Sequence, residues 1–266
     1  MYIIGVYSSN LCIIAVITTQ ISKMMIDISF IIPSYNGSNV LRNNLPVLFN
    51  ILNNHNITYE VILVDDGSND GGKTEIVAKE YNCKYLTYSE NRGKGCAVRT
   101  GVAEANGKFI VFTDADIPFK EVAFDRMLNT LMENKYDIVI GHRTLESSEY
   151  FEVISESRKL GSKVFTFFVT KFITGGLADT QCGFKGFKNS IAKDLFSVST
   201  VDSFAFDVEI LYVALKRKYQ IKRIPVELRN SEDSSVSLLK HAPRMLMDIF
   251  SLKIHHVLGH YKKKHE

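Results

Sequence analysis

Two carboxylates one residue apart, Asp114 and Asp116, follow directly on the apolar run Phe109 to Phe112 in the stretch GKFIVFTDADIPF. They repel each other, and neither helps a buried strand. A hard divalent cation, Mg²⁺ or Mn²⁺, resolves the repulsion, because such ions bind few protein carboxylates and complete their shell with phosphate oxygens and water. The bland reading of an Asp-x-Asp is an ordinary turn, so its position has to decide. A second acidic pair, Asp65-Asp66, ends the apolar run VILV and breaks into Gly67-Ser68. One carboxylate there suits hydrogen bonds from a nucleobase or ribose, while Ser68 or Asp70 suits a helix cap. Third, Asn91-Arg92-Gly93-Lys94-Gly95 precedes a helical pattern. Its glycines allow close backbone approach, and a helix N-terminus with Lys94 favours phosphate.

The elements that must position these groups alternate along the chain. DISFIIPSYN, YEVILVDDGSND, CKYLTYS, GKFIVFTDADIPF and YDIVIGHR read as strands. Between them the pattern predicts helices over 38–55, up to about Tyr81, up to near Gly107, and over 121–134. The first of these has Val40, Leu41, Leu45, Leu48, Ile51 and Leu52 at spacings of three and four. Continuously apolar strands alternating with helices predict an α/β fold: a single domain with a mostly parallel sheet covered by helices on both faces. Ligands bind such sheets beyond the carboxyl ends of the strands. The polar residues fall there: Tyr35 and Asn36, Asp65 and Asp66, Asp114 and Asp116, His142 and Arg143. No GxGxxG follows the first strand and no GxxxxGK[ST] occurs, which argues against dinucleotide and P-loop sites.

After Arg143 the alternation fails. The pattern gives a helix over 158–173, a break at Gly175-Gly176, a strand in DTQCGFKGF, helices over 190–197 and 206–218, and a strand in IKRIPVEL. The acidic pair Asp207 and Glu209 reads as structural.

With 266 residues, 45% of them hydrophobic, the chain is long enough for one substantial core. A net charge of +3 is too small to point to nucleic acid. The four cysteines show no metal spacing and read as free thiols, Cys182 as a small packed residue. Residues 1–25 form an apolar extension. They read as an upstream start before Met24 or Met25, a weak membrane segment or a signal peptide without its basic start. Residues 26–235 form the domain proper. Residues 236–266 read as a basic amphipathic helix that lies on an anionic membrane surface, docks on the chain's own core, or joins a homo-oligomer.

The set FIIPSYN, VILVDDGSNDG, ENRGKGCAVRTG and FTDAD, in that order, resembles the family 2 glycosyltransferases of GT-A (Rossmann-like) fold. GHR, RKLGSKVF, DTQCGFKGF and FAFDVEIL look like the branch that glycosylates polyprenyl phosphates, dolichyl-phosphate β-glucosyltransferases above all, with dolichol-phosphate mannose synthases as neighbours. The resemblance implies an inverting transfer of a hexose to a polyprenyl phosphate at the cytoplasmic membrane face, with UDP-glucose as donor. The alternatives are GDP-mannose or a UDP-N-acetylhexosamine as donor, a saccharide acceptor, or a nucleotide-sugar-binding protein without turnover, against which the intact Asp114, Asp116, Arg143 and Asp179 argue. Pro33, Tyr35, Asn36, Asp65 and Asp66 are then expected around the nucleoside, Lys94 beside the diphosphate, and Asp114 with Asp116 on Mg²⁺ or Mn²⁺. Arg143, Arg158 and Lys185 are expected on the acceptor phosphate. Asp179 is expected to orient that phosphate or act as a base.

Overall fold

The computed structural model describes residues 26–148, 174–177, 179–229 and 238–262. The expected 158–173 helix, Arg158 and the N-terminal extension lie outside them. Seven strands form one sheet: β1 (Ile28–Ser34), β2 (Tyr59–Asp65), β3 (Lys84–Thr87), β4 (Phe109–Thr113), β5 (Ile138–His142), β6 (Phe184–Lys188) and β7 (Ile221–Pro225). Their order is β3-β2-β1-β4-β6-β5-β7. β6 runs antiparallel to both neighbours, and the other pairings are parallel. The single-domain, mostly parallel sheet expected from the alternating pattern is therefore found. The one reversed strand is the DTQCGFKGF segment, which enters between β4 and β5 and brings Asp179 and Cys182 to the strands' carboxyl edge.

Strands β1, β4 and β5 are buried along their whole length, because helices cover both faces. On one face lie α1 (Ser38–Asn53), α2 (Lys73–Glu80) and α4 (Glu121–Met132). Leu41, Leu45, Leu48, Ile51 and Leu52 of α1 bury at helical spacing, whereas Val40, placed in that stripe by pattern, stands 42% exposed. The other face holds α3 (Lys94–Glu104), α5 (Asn189–Phe196), α6 (Phe206–Lys216) and α7 (Leu238–Val257). A buried aliphatic side chain contributes about 1.5–3 kcal/mol each, so these two layers are the main source of stability.

Helix α7 shows how the amphipathic tail divides. Ile249 and Leu252 bury against the core together with Tyr261, whose hydroxyl donates to Glu209 at 2.8 Å. Met247, Ile254, Val257 and Leu258 face outward, 59% exposed or more. Docking on the core accounts for one side of the helix and leaves the other apolar side uncovered. No helix among the described residues is long and apolar enough to cross a membrane.

Candidate active site

The fully buried β4 delivers Asp114 and Asp116 to the sheet's carboxyl edge through a tight turn, in which the Ile117 amide donates to the Asp114 carbonyl at 3.0 Å. Ile117 takes φ +43, unfavourable for a β-branched residue, and persists because its neighbours fix it. Arg229 does much of that fixing. Its Nη1 donates to the Ile117 carbonyl at 3.1 Å and its amide to the Pro118 carbonyl at 2.8 Å. Arg229, just past the VEL that ends the seventh-strand segment, was invisible to pattern reading, since only the fold carries it back to the Asp114 turn.

The couplet is not symmetrical. Lys94, the first residue of α3, pairs its ammonium with Asp114 Oδ1. Burial opposes that charge, but the fields of Asp114, Asp207 and Asp116 outweigh it and hold the Lys94 pKa above its usual value. Asp116 Oδ1 is buried with no hydrogen-bond partner. Burial first, then the Asp114 charge, pushes the Asp116 carboxyl up to about 6. An orphaned carboxylate oxygen beside a second carboxylate fits a hard, oxygen-seeking cation. Among the described residues no group of three or more His, Cys, Asp and Glu is placed to hold a metal, so the remaining ligands would come from water or a phosphate.

Gly183 completes the support. A Cβ there would lie 2.1 Å from Asp114 Oδ2, so any larger residue would have to displace the Asp114 carboxylate. Sequence reasoning missed this role, because nothing in DTQCGFK says that its glycine meets β4.

The second acidic pair is committed to the protein. Asp66 accepts from the Tyr88 hydroxyl, Asn91 Nδ2 at 2.8 Å, and the Arg92 and Gly93 amides at 2.9 Å. Four donors fill a carboxylate. Asp66 is therefore the anion held at the start of α3, which corrects the expectation of a nucleotide contact for this residue. The glycines nearby are also spoken for. The Gly95 amide donates to the Asp202 carbonyl at 2.8 Å, and a Cβ on Gly93 or Gly95 would meet the Asp202 or Val201 carbonyl oxygen at 2.4 Å. They admit the 201–202 backbone, not a phosphate.

Asp65 accepts from Ser68 and from the Tyr85 hydroxyl at 2.8 Å and retains room for one further donor. Asn36, at φ +50, bridges β1 and β2: its amide donates to Ser68 Oγ at 2.7 Å and its Oδ1 accepts from the Asn69 amide at 2.9 Å. Tyr35 stands 52% exposed between them, and Pro33 is buried within β1. Ser34 Oγ and Thr113 Oγ1, at the ends of β1 and β4, are buried and lack partners. With Asp116 Oδ1, these place three unmet polar atoms at the edge where ligand is expected.

On the far side, Arg143 at the end of β5 is gripped by Asp179. The Asp179 carboxylate takes the Arg143 amide at 2.5 Å, Nε at 2.9 Å and Nη2 at 2.5 Å, while Asp179 itself sits at φ +51. Its oxygens face a guanidinium, which suits a positioning group and not a base. His142 beside it is buried with Nε2 unpartnered, and burial lowers its pKa, so the imidazole is neutral.

Lys185 corrects a further expectation. It is 1% exposed, and its ammonium donates to Asp207 Oδ1 and the Cys182 carbonyl, both at 2.6 Å. A lysine sealed in the core cannot meet an acceptor phosphate. Glu209 is structural too, accepting the Thr200 and Val201 amides at 3.0 Å. Burial pushes the Cys182 thiol up to about 12, which leaves it inert.

The Glycosyl transferase family 2 profile matches residues 29–196. The chain belongs to that family. It is 32% identical over 251 residues to the dolichyl-phosphate beta-glucosyltransferase of Dictyostelium discoideum, covering 89% of this chain and 77% of the relative. Against the human protein of the same description the identity is 33% over 252 residues, covering 88% and 77%. Among solved structures it resembles glucosyl-3-phosphoglycerate synthase from Mycobacterium tuberculosis in complex with UDP, at TM-score 0.65 and 17% identity, covering 85% of this chain and 79% of that one. The same enzyme with Mn²⁺, UDP-glucose and phosphoglyceric acid gives TM-score 0.64 at 15% identity, covering 86% and 78%. This glycosyltransferase therefore shares their GT-A fold.

Proposed function

We propose that this glycosyltransferase moves glucose from UDP-glucose to a dolichyl or related polyprenyl phosphate, with inversion, at the cytoplasmic face of a membrane. The observation that carries the reading is the Asp114–Asp116 couplet with its unpartnered oxygen at the sheet edge, in a chain related over nine-tenths of its length to dolichyl-phosphate glucosyltransferases.

Tyr35 and Asp65 suit the nucleoside: one offers an exposed ring, the other one remaining acceptor site. Asp114 and Asp116 would hold Mg²⁺ or Mn²⁺, which supplies positive charge against the departing diphosphate. Arg143, aimed by Asp179, suits the acceptor phosphate, and Arg158 joins it in this reading. That acceptor is already an anion at neutral pH, so positioning replaces a strong base. The outward stripe of α7, flanked by Lys253 and the basic end of the chain, suits peripheral contact with lipid.

The test is a donor panel of UDP-glucose, GDP-mannose and UDP-N-acetylglucosamine with dolichyl and undecaprenyl phosphate, read by mass spectrometry with Mn²⁺, Mg²⁺ or EDTA. Glucosyl lipid from UDP-glucose, lost in EDTA, is expected. Product from GDP-mannose alone, or turnover insensitive to EDTA, refutes the donor or the metal assignment respectively.

A further inference from the structure

The couplet already has a cation on it. Lys94 Nζ sits on Asp114 Oδ1, whereas Asp116 keeps an oxygen without a partner. A divalent ion approaching this pair meets a carboxylate that is already neutralised and an ammonium in contact with it. In a partly buried site such like-charge contact is strongly unfavourable. Asp207 also acts on Lys94, but it is already paired with Lys185, and among the described residues no group of three or more His, Cys, Asp and Glu is placed to hold the ion. A nucleoside diphosphate changes both conditions, because it offers the ammonium another anion and offers the ion further oxygen ligands.

We propose that Lys94 holds the cation position at Asp114 until a nucleoside diphosphate arrives, so that the metal binds together with the nucleotide while the ammonium passes from Asp114 to the diphosphate. This rests on reading Asp114 and Asp116 as the metal's ligands. The exchange needs only side-chain rotation. The backbone on both sides of Lys94 is pinned, Gly93 to Asp66 and Gly95 to Asp202. The amine moves on a flexible four-carbon stem.

The experiment is titration of the metal-free full chain with Mn²⁺, followed by calorimetry or by the EPR signal of free Mn²⁺, with and without UDP. Lys94→Met is expected to bind Mn²⁺ alone at least about tenfold more tightly than wild type, since the competing charge is gone. UDP should then strengthen Mn²⁺ binding much less in the variant than in wild type. Lys94→Arg keeps the charge and should resemble wild type in the Mn²⁺-only titration. Mn²⁺ affinity in Lys94→Met equal to or below that of wild type overturns the exchange, as does a Lys94→Arg protein that gains affinity. Asp116→Asn separates this idea from the one beneath it. If that variant binds Mn²⁺ in the presence of UDP as wild type does, the ion lies elsewhere and the metal site itself is wrong. If it loses Mn²⁺ binding with UDP while Lys94→Met matches wild type in the Mn²⁺-only titration, the site stands and only the exchange falls.

Discussion

Four aspartates stand at one edge of the same sheet, in two opposite electrostatic conditions. Past the end of β4, Asp116 has a buried oxygen without a partner, and Asp114 shares a single ammonium at a 37% exposed position. Nearby, Asp179 and Asp207 are 6% and 5% exposed, and each is matched by its own cation, Arg143 or Lys185. The first pair is left unfinished by the fold and is free to act on a ligand. The second pair is finished, and acts by fixing the cations it holds.

The largest effect should come from the unfinished pair. Asp116→Asn is expected to lower transfer by roughly a thousandfold or more, as removal of a key electrostatic group does. The same change should stabilise the metal-free fold. With a native pKa raised to about 6 from 3.8, the wild-type carboxyl favours folding less as pH rises from 4 to 6, because its ionised form is disfavoured in place. The variant should therefore be more stable to denaturant at pH 8, by about 1–2 kcal/mol after allowance for solvent, and the gap should close by pH 4. A variant less stable than wild type at pH 8 would mean that Asp116 is already satisfied.

Lys185→Met tests the finished pair, and should cost about 3–5 kcal/mol in denaturant unfolding, because Asp207 is left buried without its cation. Unchanged stability would place Lys185 outside the core and reopen it as a ligand. Gly183→Ala lies between the two. Its Cβ must push Asp114, so Mn²⁺–UDP affinity and transfer should drop by about a hundredfold with the melting temperature little altered. The mildest effect belongs to Asp179→Asn. Arg143 loses its charged partner, and the KM for lipid phosphate should rise about tenfold with the KM for donor unchanged. A bell-shaped pH–rate profile that loses its acidic limb in this variant would instead make Asp179 a base.

The strand-end residues were legible because they follow strongly apolar strands, so that Asp65, Asp114 and Arg143 mark strand ends in the sequence itself. What could not be read was who meets whom. Asp66 and Lys185 look as available as Asp65 and Lys94 until the fold supplies four donors to one and a buried carboxylate to the other. Gly183 and Arg229 gain their meaning from β6 and β7 folding back on the β4 turn, contacts that span about seventy residues or more of chain. The antiparallel entry of β6 has the same cause, since nothing local distinguishes a reversed strand from a parallel one.

The Asp66 carboxylate has one last consequence. By seating its own anion against the Arg92 and Gly93 amides, the chain settles the approach to α3 during folding, without waiting for a substrate. Fixing a residue's backbone costs about 1–2 kcal/mol, so the segment around Lys94 is preorganised and a nucleotide need not supply that entropy on arrival. The same seat is closed to phosphate. On the proposed reading, neutralising the diphosphate then falls to mobile cations, the ammonium and the ion, and not to rigid backbone dipoles.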